Sequence, residues 1–168
     1  MRKPVILTLL LALLIGGCSS IPGLSAGNQA LEITDSTGHT VQLNGLPQQV
    51  AIAGKATVMV QDAVYLFPEA VDRVTALESR RQSAFSFLPV IDPGIYDKKI
   101  LELNAGPEQI AAVQPDLVIL KSFMAEQLGE PLQVIDIPVV YLDLETPEAF
   151  YQDIQTLGKV FGNSVRAE

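Results

Sequence analysis

Apolar and polar residues alternate in two short segments close to residue 30. Residues 31–34 and 40–43 both follow this pattern, and the sequence Asp-Ser-Thr-Gly at 35–38 lies between them. Alternation on both sides of a short Gly-containing loop is typical of a β-hairpin. We therefore predict that the folded part of the chain begins with a hairpin.

Further along, short apolar runs predict buried strands, and they alternate with segments of helical spacing. The predicted strands are 49–54, 71–77, 116–120 and 137–142. The predicted helices are 56–67 (apolar stripe Val58, Met59, Ala63, Leu66, Phe67), 107–114, 124–132 and one starting at Thr146 (stripe Phe150, Ile154, Leu157, Phe161). Residues 78–104 show no sustained period, so they predict a functional loop or one that carries short helical pieces.

Strands that alternate with helices predict an α/β fold, a Rossmann-like parallel sheet with flanking helices. Ligands of such sheets bind beyond the carboxyl ends of the strands. The predicted strand ends are Gly54-Lys55-Ala56, Ser79-Arg80-Arg81, Lys121-Ser122-Phe123 and Asp143-Leu144-Glu145.

The first residues indicate export. Two basic residues precede an apolar run from Val5 to Ile15, which is too short to span a bilayer and is typical of a secretory signal. Ile15-Gly16-Gly17-Cys18 resembles the bacterial lipobox, which implies lipidation of Cys18; ordinary secretion with an incidental cysteine is the alternative. We predict a signal peptide at 1–17, a flexible tether at 18–30 and one domain at 31–168. The single cysteine excludes an intramolecular disulfide.

The net charge and the absence of several enzyme motifs argue against some classes of function. A net charge of −8 and a pI near 4.6 argue against a nucleic-acid partner and against attraction to anionic lipid, so membrane attachment would depend on Cys18. The sequence has no phosphate loop, GxGxxG or GxSxG motif, and His39 is its only histidine. We therefore expect neither an enzyme nor a resident cofactor or metal.

Basic residues concentrate at the predicted strand ends. Lys55, Arg80, Arg81 and Lys121 are four of the eleven basic residues, and together they could bind an anionic ligand. Each of them could instead be a solvated loop residue, some paired with Glu78 or Asp92. The nearby aromatic residues could stack on a ligand or anchor loops to the core, and this applies to Phe85, Phe87, Tyr96 and Phe123. Asp143 and Glu145 could contact ligand or favour the following helix.

Three passages resemble the amino-terminal lobe of ABC-transporter substrate-binding proteins of the iron-complex, haem and cobalamin type. The first is the hairpin segment 33–43. The second is Ala105-Gly106-Pro107-Glu108 continuing to Ile119, which is similar to the family's E-x-I and P-D-L-V motif. The third comprises 137–142 and 157–162. The resemblance covers about residue 32 to the end, and the second lobe of the family is missing from this sequence, as in a fragment or a truncated gene.

The resemblance implies solute capture for an ABC importer, with an iron–siderophore or related chelate as cargo and a membrane permease as partner. The implied ligand-binding residues are Gly54, Lys55, Ala56, Arg80, Arg81, Lys121, Ser122 and Phe123. Glu108 would dock onto the permease, unless it only favours the start of its helix. Relatives that bind bare metals use several histidines, so bare zinc or manganese is not expected. The alternative function is a non-transport lipoprotein whose α/β lobe is a structural or interaction module.

Overall fold

The structure is a computed structural model that describes residues 30–79 and 87–168. Within these ranges seven strands form two sheets, and their bounds are β1 Leu31–Thr34, β2 Thr40–Leu43, β3 Val50–Ile52, β4 Val74–Glu78, β5 Lys99–Leu101, β6 Leu117–Lys121 and β7 Val139–Leu142. β1 and β2 form the predicted antiparallel hairpin. The other five form one parallel sheet in the order β5-β4-β3-β6-β7, which confirms the predicted α/β fold.

Helices cover both faces of the parallel sheet. Their bounds are α1 Thr57–Val64, α2 Ala70–Arg73, α3 Leu88–Ile91, α4 Pro107–Ala112, α5 Glu130–Val134 and α6 Pro147–Phe161. Single tighter turns occupy Ile95–Asp97, Ser122–Met124 and Ser164–Ala167, and a π-helical turn spans Ala125–Gly129. In the described parts of the chain, no helix has the length and apolarity needed to cross a membrane.

Four strands of the parallel sheet, β3, β4, β6 and β7, send side chains into two separate hydrophobic cores. Val50 and Ile52 of β3 pack in the core that contains α1, α6 and the hairpin, whereas Ala51 packs in the core that contains α4 and α5. The alternation follows from the two-residue period of a strand. Both faces of the sheet are therefore buried along β3, β6 and β7, which is why these strands appear in the sequence as nearly unbroken apolar runs.

One predicted strand starts later than expected, and one strand was not predicted. Residues 71–73 belong to the short helix α2, so β4 begins only at Val74. The segment predicted as irregular also contains the edge strand β5, which has just three residues, two of them exposed. A strand this short, with one open edge, carries too little apolar pattern to predict it from sequence.

The predicted apolar stripe of α1 was partly wrong, although Ala63 and Phe67 are buried as predicted. Met59 and Leu66 are 40% and 44% exposed, whereas Val60 and Val64 are buried. The buried positions 57, 60, 61, 63 and 64 follow helical spacing. The helix ends at Val64, so Leu66 and Phe67 lie beyond it.

α6 begins and ends as the sequence predicts. The Thr146 hydroxyl accepts a hydrogen bond from the Ala149 N–H at 3.1 Å, and Gly162 ends the helix with a positive φ of 69°. Phe150 is 38% exposed and lies outside the buried stripe, whereas Asp153 is fully buried. The predicted positions that are buried are Ile154, Leu157 and Phe161.

Candidate ligand cleft

The order of the strands places a crevice between β3 and β6. From β3 the chain proceeds to β4 and β5 on one side, then crosses to β6 and β7 on the other side. The place where the strand order reverses in this way is called the switch point of the sheet. Ligands of open parallel sheets bind there, outside the carboxyl ends of the strands. A cavity of about 140 Å³ opens there, and we call it the cleft cavity; it is lined by Gly54, Lys55, residues 104–107, Met124, Gln127 and Leu128.

The loop after β3 turns sharply to form one wall of the cleft cavity. Gly54 has a φ of 85° and Ala56 a φ of 57°, both in the left-handed region that disfavours side chains. A Cβ at Gly54 would also lie 3.2 Å from Cγ of Met124. Glycine is therefore needed at this position for two reasons. Lys55, between these residues, is exposed.

A buried carboxyl group joins this loop to the opposite wall. Glu78, the last residue of β4, is 2% exposed. Its Oε2 accepts a hydrogen bond from the Gly54 N–H at 2.5 Å, and its Oε1 accepts one from the Asn104 N–H at 2.7 Å. Burial raises the pKa of Glu78, and the two N–H donors partly oppose that rise.

The helix α4 begins at the edge of the cleft cavity. Pro107 occupies its first turn, and the Gln109 side chain accepts a hydrogen bond from the Gly106 N–H at 3.1 Å. Glu108 is exposed, and its Oε2 lies 2.9 Å from the place where a Cβ of Gly106 would stand. The Glu108 carboxyl thus folds back toward the cavity.

Lys121 does not lie on the open rim, which differs from the prediction. It is the last residue of β6, one residue beyond the predicted strand, and it is fully buried. Its ammonium group donates to the Asp143 carbonyl and to Glu145 Oε1, the latter at 2.6 Å. The amine holds the end of β6 to the loop after β7.

A second buried carboxyl group holds that loop from the other side. Asp153 Oδ2 accepts hydrogen bonds from the N–H groups of Asp143 and Leu144 at 2.7 and 2.8 Å. Burial is the main cause of the raised pKa of Asp153. Ser122 donates to Asp143 Oδ1 at 3.1 Å, whereas the neighbouring Phe123 is 58% exposed. The β7 loop is thus closed by internal contacts.

A larger groove lies at the opposite end of the sheet. It has a volume of about 340 Å³ and is formed by residues 42–48 with Pro115, Asp116, Asp136 and Pro138. The Asp116 carboxylate accepts hydrogen bonds from the Gln48 and Gln49 N–H groups at 2.7 and 2.9 Å. Two acids and no basic residue line this groove, so it suits an anion poorly.

The family model described as periplasmic binding protein matches residues 41–168. The chain belongs to the periplasmic binding protein family. This confirms the resemblance that the hairpin and the P-D-L-V segment indicated.

Solved periplasmic binding proteins share the fold of this chain. A solute binding protein from Veillonella parvula has a TM-score of 0.71 at 21% identity, over 82% of this chain and 43% of that one. For MolA of Haemophilus influenzae, bound to molybdate, the TM-score is 0.66 at 16% identity, over 81% and 48%. For SirA of Staphylococcus aureus, complexed with staphyloferrin B, it is 0.57 at 20% identity, over 81% and 44%.

The chain spans about half the length of these solved periplasmic binding proteins. The match fits an amino-terminal lobe. No curated protein is significantly similar to the chain.

The structure brings together some of the predicted site residues of this periplasmic binding protein. Gly54 and Lys55 line the cleft cavity, and Ala56 follows them. Ser122 and Phe123 belong to the turn that leads to the cavity-lining Met124. The remaining predictions, Cys18, Arg80 and Arg81, lie outside the described residues.

Sequence reasoning missed two walls of the cleft cavity. Residues 104–107 follow β5, so recognising that strand would have marked them as a strand-end loop. Gln127 and Leu128 lie in the π-helical turn, for which the sequence has no clear signal. Within the described ranges, no three His, Cys, Asp or Glu side chains are grouped so as to hold a metal ion.

Proposed function

We propose that this chain forms the amino-terminal part of a solute-binding lipoprotein for an ABC importer, and that its cargo is an anionic metal chelate such as a ferric siderophore. The observation that carries the proposal is the cleft cavity at the switch point, with the exposed Lys55 on its edge. Family membership supports capture of a solute. Similar structures hold molybdate, staphyloferrin B, or ferric iron with two acinetobactin molecules, which supports a cargo of this class.

The size of the cleft cavity argues for shared enclosure of the cargo. Pockets for small molecules usually measure about 300–1,000 Å³ and bury most of the ligand surface. The cleft cavity of about 140 Å³ is smaller than that range. We therefore propose that a second lobe completes the site, as the greater length of the solved relatives suggests.

A titration of the full chain in detergent tests the cargo. The chain has four tyrosines and no tryptophan, so tyrosine fluorescence is the natural signal. Ferric staphyloferrin B, ferric acinetobactin and molybdate are the probes. We expect saturable binding of at least one probe, weaker than in a protein with both lobes. Lack of saturation with all three would contradict the cargo proposal.

Membrane attachment by a lipid on Cys18 is the second part of the proposal. Its support is the lipobox-like sequence that ends at Cys18. We expect Cys18→Ser to abolish the incorporation of labelled fatty acid into the protein. Ser19→Ala is the matched control and should incorporate the label as the wild type does. Equal incorporation by both variants would contradict lipidation at Cys18.

Docking of Glu108 onto a permease is the third part. The residue is exposed on the first turn of α4, where a partner can reach it. We expect Glu108→Arg to lower chelate uptake by cells without weakening chelate binding to the purified protein. Glu148→Arg, an exposed acid in the first turn of α6, is the control. If both variants transport as well as each other, Glu108 does not dock onto the permease.

A further inference from the structure

Glu78 is placed to control the geometry of the cleft cavity although it does not line it. β4 lies between β3 and β5 in the sheet, so its last residue stands between the loops that follow those two strands. The side chain is 2% exposed. Its two carboxyl oxygens accept from different loops, Oε2 from Gly54 at 2.5 Å and Oε1 from Asn104 at 2.7 Å.

The two loops joined by Glu78 form facing walls of the cleft cavity. Gly54 and Asn104 both line it, and they are fifty residues apart in the sequence. A third contact holds α1 to β4, because the side chain of Gln61, in the middle of that helix, donates to the main-chain carbonyl of Glu78 at 3.3 Å. The end of β4 thus holds the Gly54 loop, the Asn104 loop and α1 together.

An apolar side chain at this position would leave both N–H groups without their acceptor. Backbone N–H groups of folded proteins are nearly always paired, so the loss of an acceptor shared by two of them is unfavourable. Without Glu78, the loops would have to move toward water or another acceptor. The shape of the cleft cavity would change with them.

We propose that Glu78 is a positioning residue of the cleft, and that its two carboxyl oxygens set the separation of the Gly54 and Asn104 loops. The proposal rests on the proposed function, in which these loops contact the cargo. It adds a role for a buried residue that touches no cargo.

Amide NMR of the full chain in detergent tests the proposal without any ligand. In Glu78→Leu we expect the amides of Gly54 and Asn104 to exchange with solvent roughly tenfold faster or more, because both lose the carboxyl oxygen that accepts from them. The amide of Ile119, in the core strand β6, reports global unfolding and should change less. In Glu78→Gln one acceptor oxygen remains, so we expect a smaller effect.

The pH dependence of the Gly54 and Asn104 amide proton shifts is the second readout. In the wild type, the amide proton shifts of Gly54 and Asn104 should follow one and the same pH curve, since one carboxyl group accepts from both. Glu78→Gln should remove that shared curve. A residue that merely filled space would not couple two loops in this way.

Asp153→Asn is the matched control, since Asp153 is also a buried carboxyl that accepts from a strand-end loop. It should change the amides of Asp143 and Leu144 and leave those of Gly54 and Asn104 unchanged. The positioning role is refuted if, in Glu78→Leu, the exchange of Gly54 and Asn104 accelerates no more than that of Ile119.

Titration with ferric staphyloferrin B separates this proposal from the proposed function. If Glu78 positions the cleft, Glu78→Leu should weaken binding about tenfold or more relative to Asp153→Asn. Equal affinities of the two variants would overturn the link between Glu78 and the cleft. If the wild type binds none of the chelate or molybdate probes, the proposed function fails, and the amide data still decide whether Glu78 sets the loop separation.

Discussion

Two lysines near the carboxyl ends of neighbouring strands, Lys55 after β3 and Lys121 at the end of β6, have opposite environments. On the β3 side, Lys55 is exposed at the edge of the cleft cavity. On the β7 side, Lys121 is fully buried, and its amine is bound by the Asp143 carbonyl and the Glu145 carboxylate. Both sides use a buried carboxyl group, Glu78 or Asp153, to hold their loops.

The comparison shows that a basic residue after a strand does not by itself make an anion site. A lysine is available to an anion only if acceptors within the protein do not already pair with its ammonium group. Lys121 has such acceptors within the fold, so its charge stabilises the sheet edge. Lys55 extends from a loop whose backbone is held by Glu78, and its side chain is exposed to solvent.

The largest expected effect is on the β7 side. Lys121→Ala should lower the free energy of unfolding by about 3 kcal/mol, because it removes a fully buried side chain and leaves the Asp143 carbonyl without its donor. Glu145 has a half-exposed side chain and can return to water. Urea unfolding measures the change. A loss below about 1 kcal/mol would show that the buried amine contributes little.

A methyl group at Gly54 should have the next largest effect. We expect Gly54→Ala to lower stability by about 2 kcal/mol, since the left-handed φ of 85° is strained for alanine and Met124 must shift. Gly38→Ala is the matched control, because its φ is 80° and nothing lies within 4 Å of the added Cβ. The difference between the variants in urea unfolding measures the packing of Met124 against the cleft loop. Equal losses would mean that this packing is loose.

Glu78 and Asp153 should both make the free energy of unfolding depend on pH in the same direction. Burial raises the pKa of Glu78 and Asp153 above their ordinary values of 4.5 and 3.8. Their contribution to stability is therefore present below those values and is lost as pH rises through the raised pKa of the folded state. We expect Glu78→Gln and Asp153→Asn to lose less stability than the wild type between pH 4 and pH 8. Parallel pH profiles in urea unfolding would contradict the raised pKa values.

The smallest stability effect is expected for the exposed lysine. Lys55→Met should change the free energy of unfolding by less than about 0.5 kcal/mol, since an exposed side chain supports little structure. Its affinity for an anionic chelate should fall about two- to fivefold, the size of an exposed ion pair. Fluorescence titration beside urea unfolding checks both. A large stability loss with unchanged affinity would reverse the roles assigned to the two lysines.

Most of the fold could be predicted, because the alternation of strands and helices is visible in short sequence patterns. The apolar runs of β3, β6 and β7 and the Thr146-Pro147 helix start are strong patterns. The cleft was harder to predict. The burial of Lys121 depends on its pairing with a residue twenty-four positions away, and the role of Glu78 on two loops that meet only in three dimensions.

The most direct test of the account is a map of where a chelate binds. Amide shifts of the full chain would be followed during addition of gallium staphyloferrin B, a diamagnetic stand-in for the ferric complex. We predict that the shifts concentrate at Gly54, Lys55, Asn104 and Gln127 around the cleft cavity. Shifts concentrated at Gln48 and Asp116, in the groove at the other end of the sheet, would contradict it.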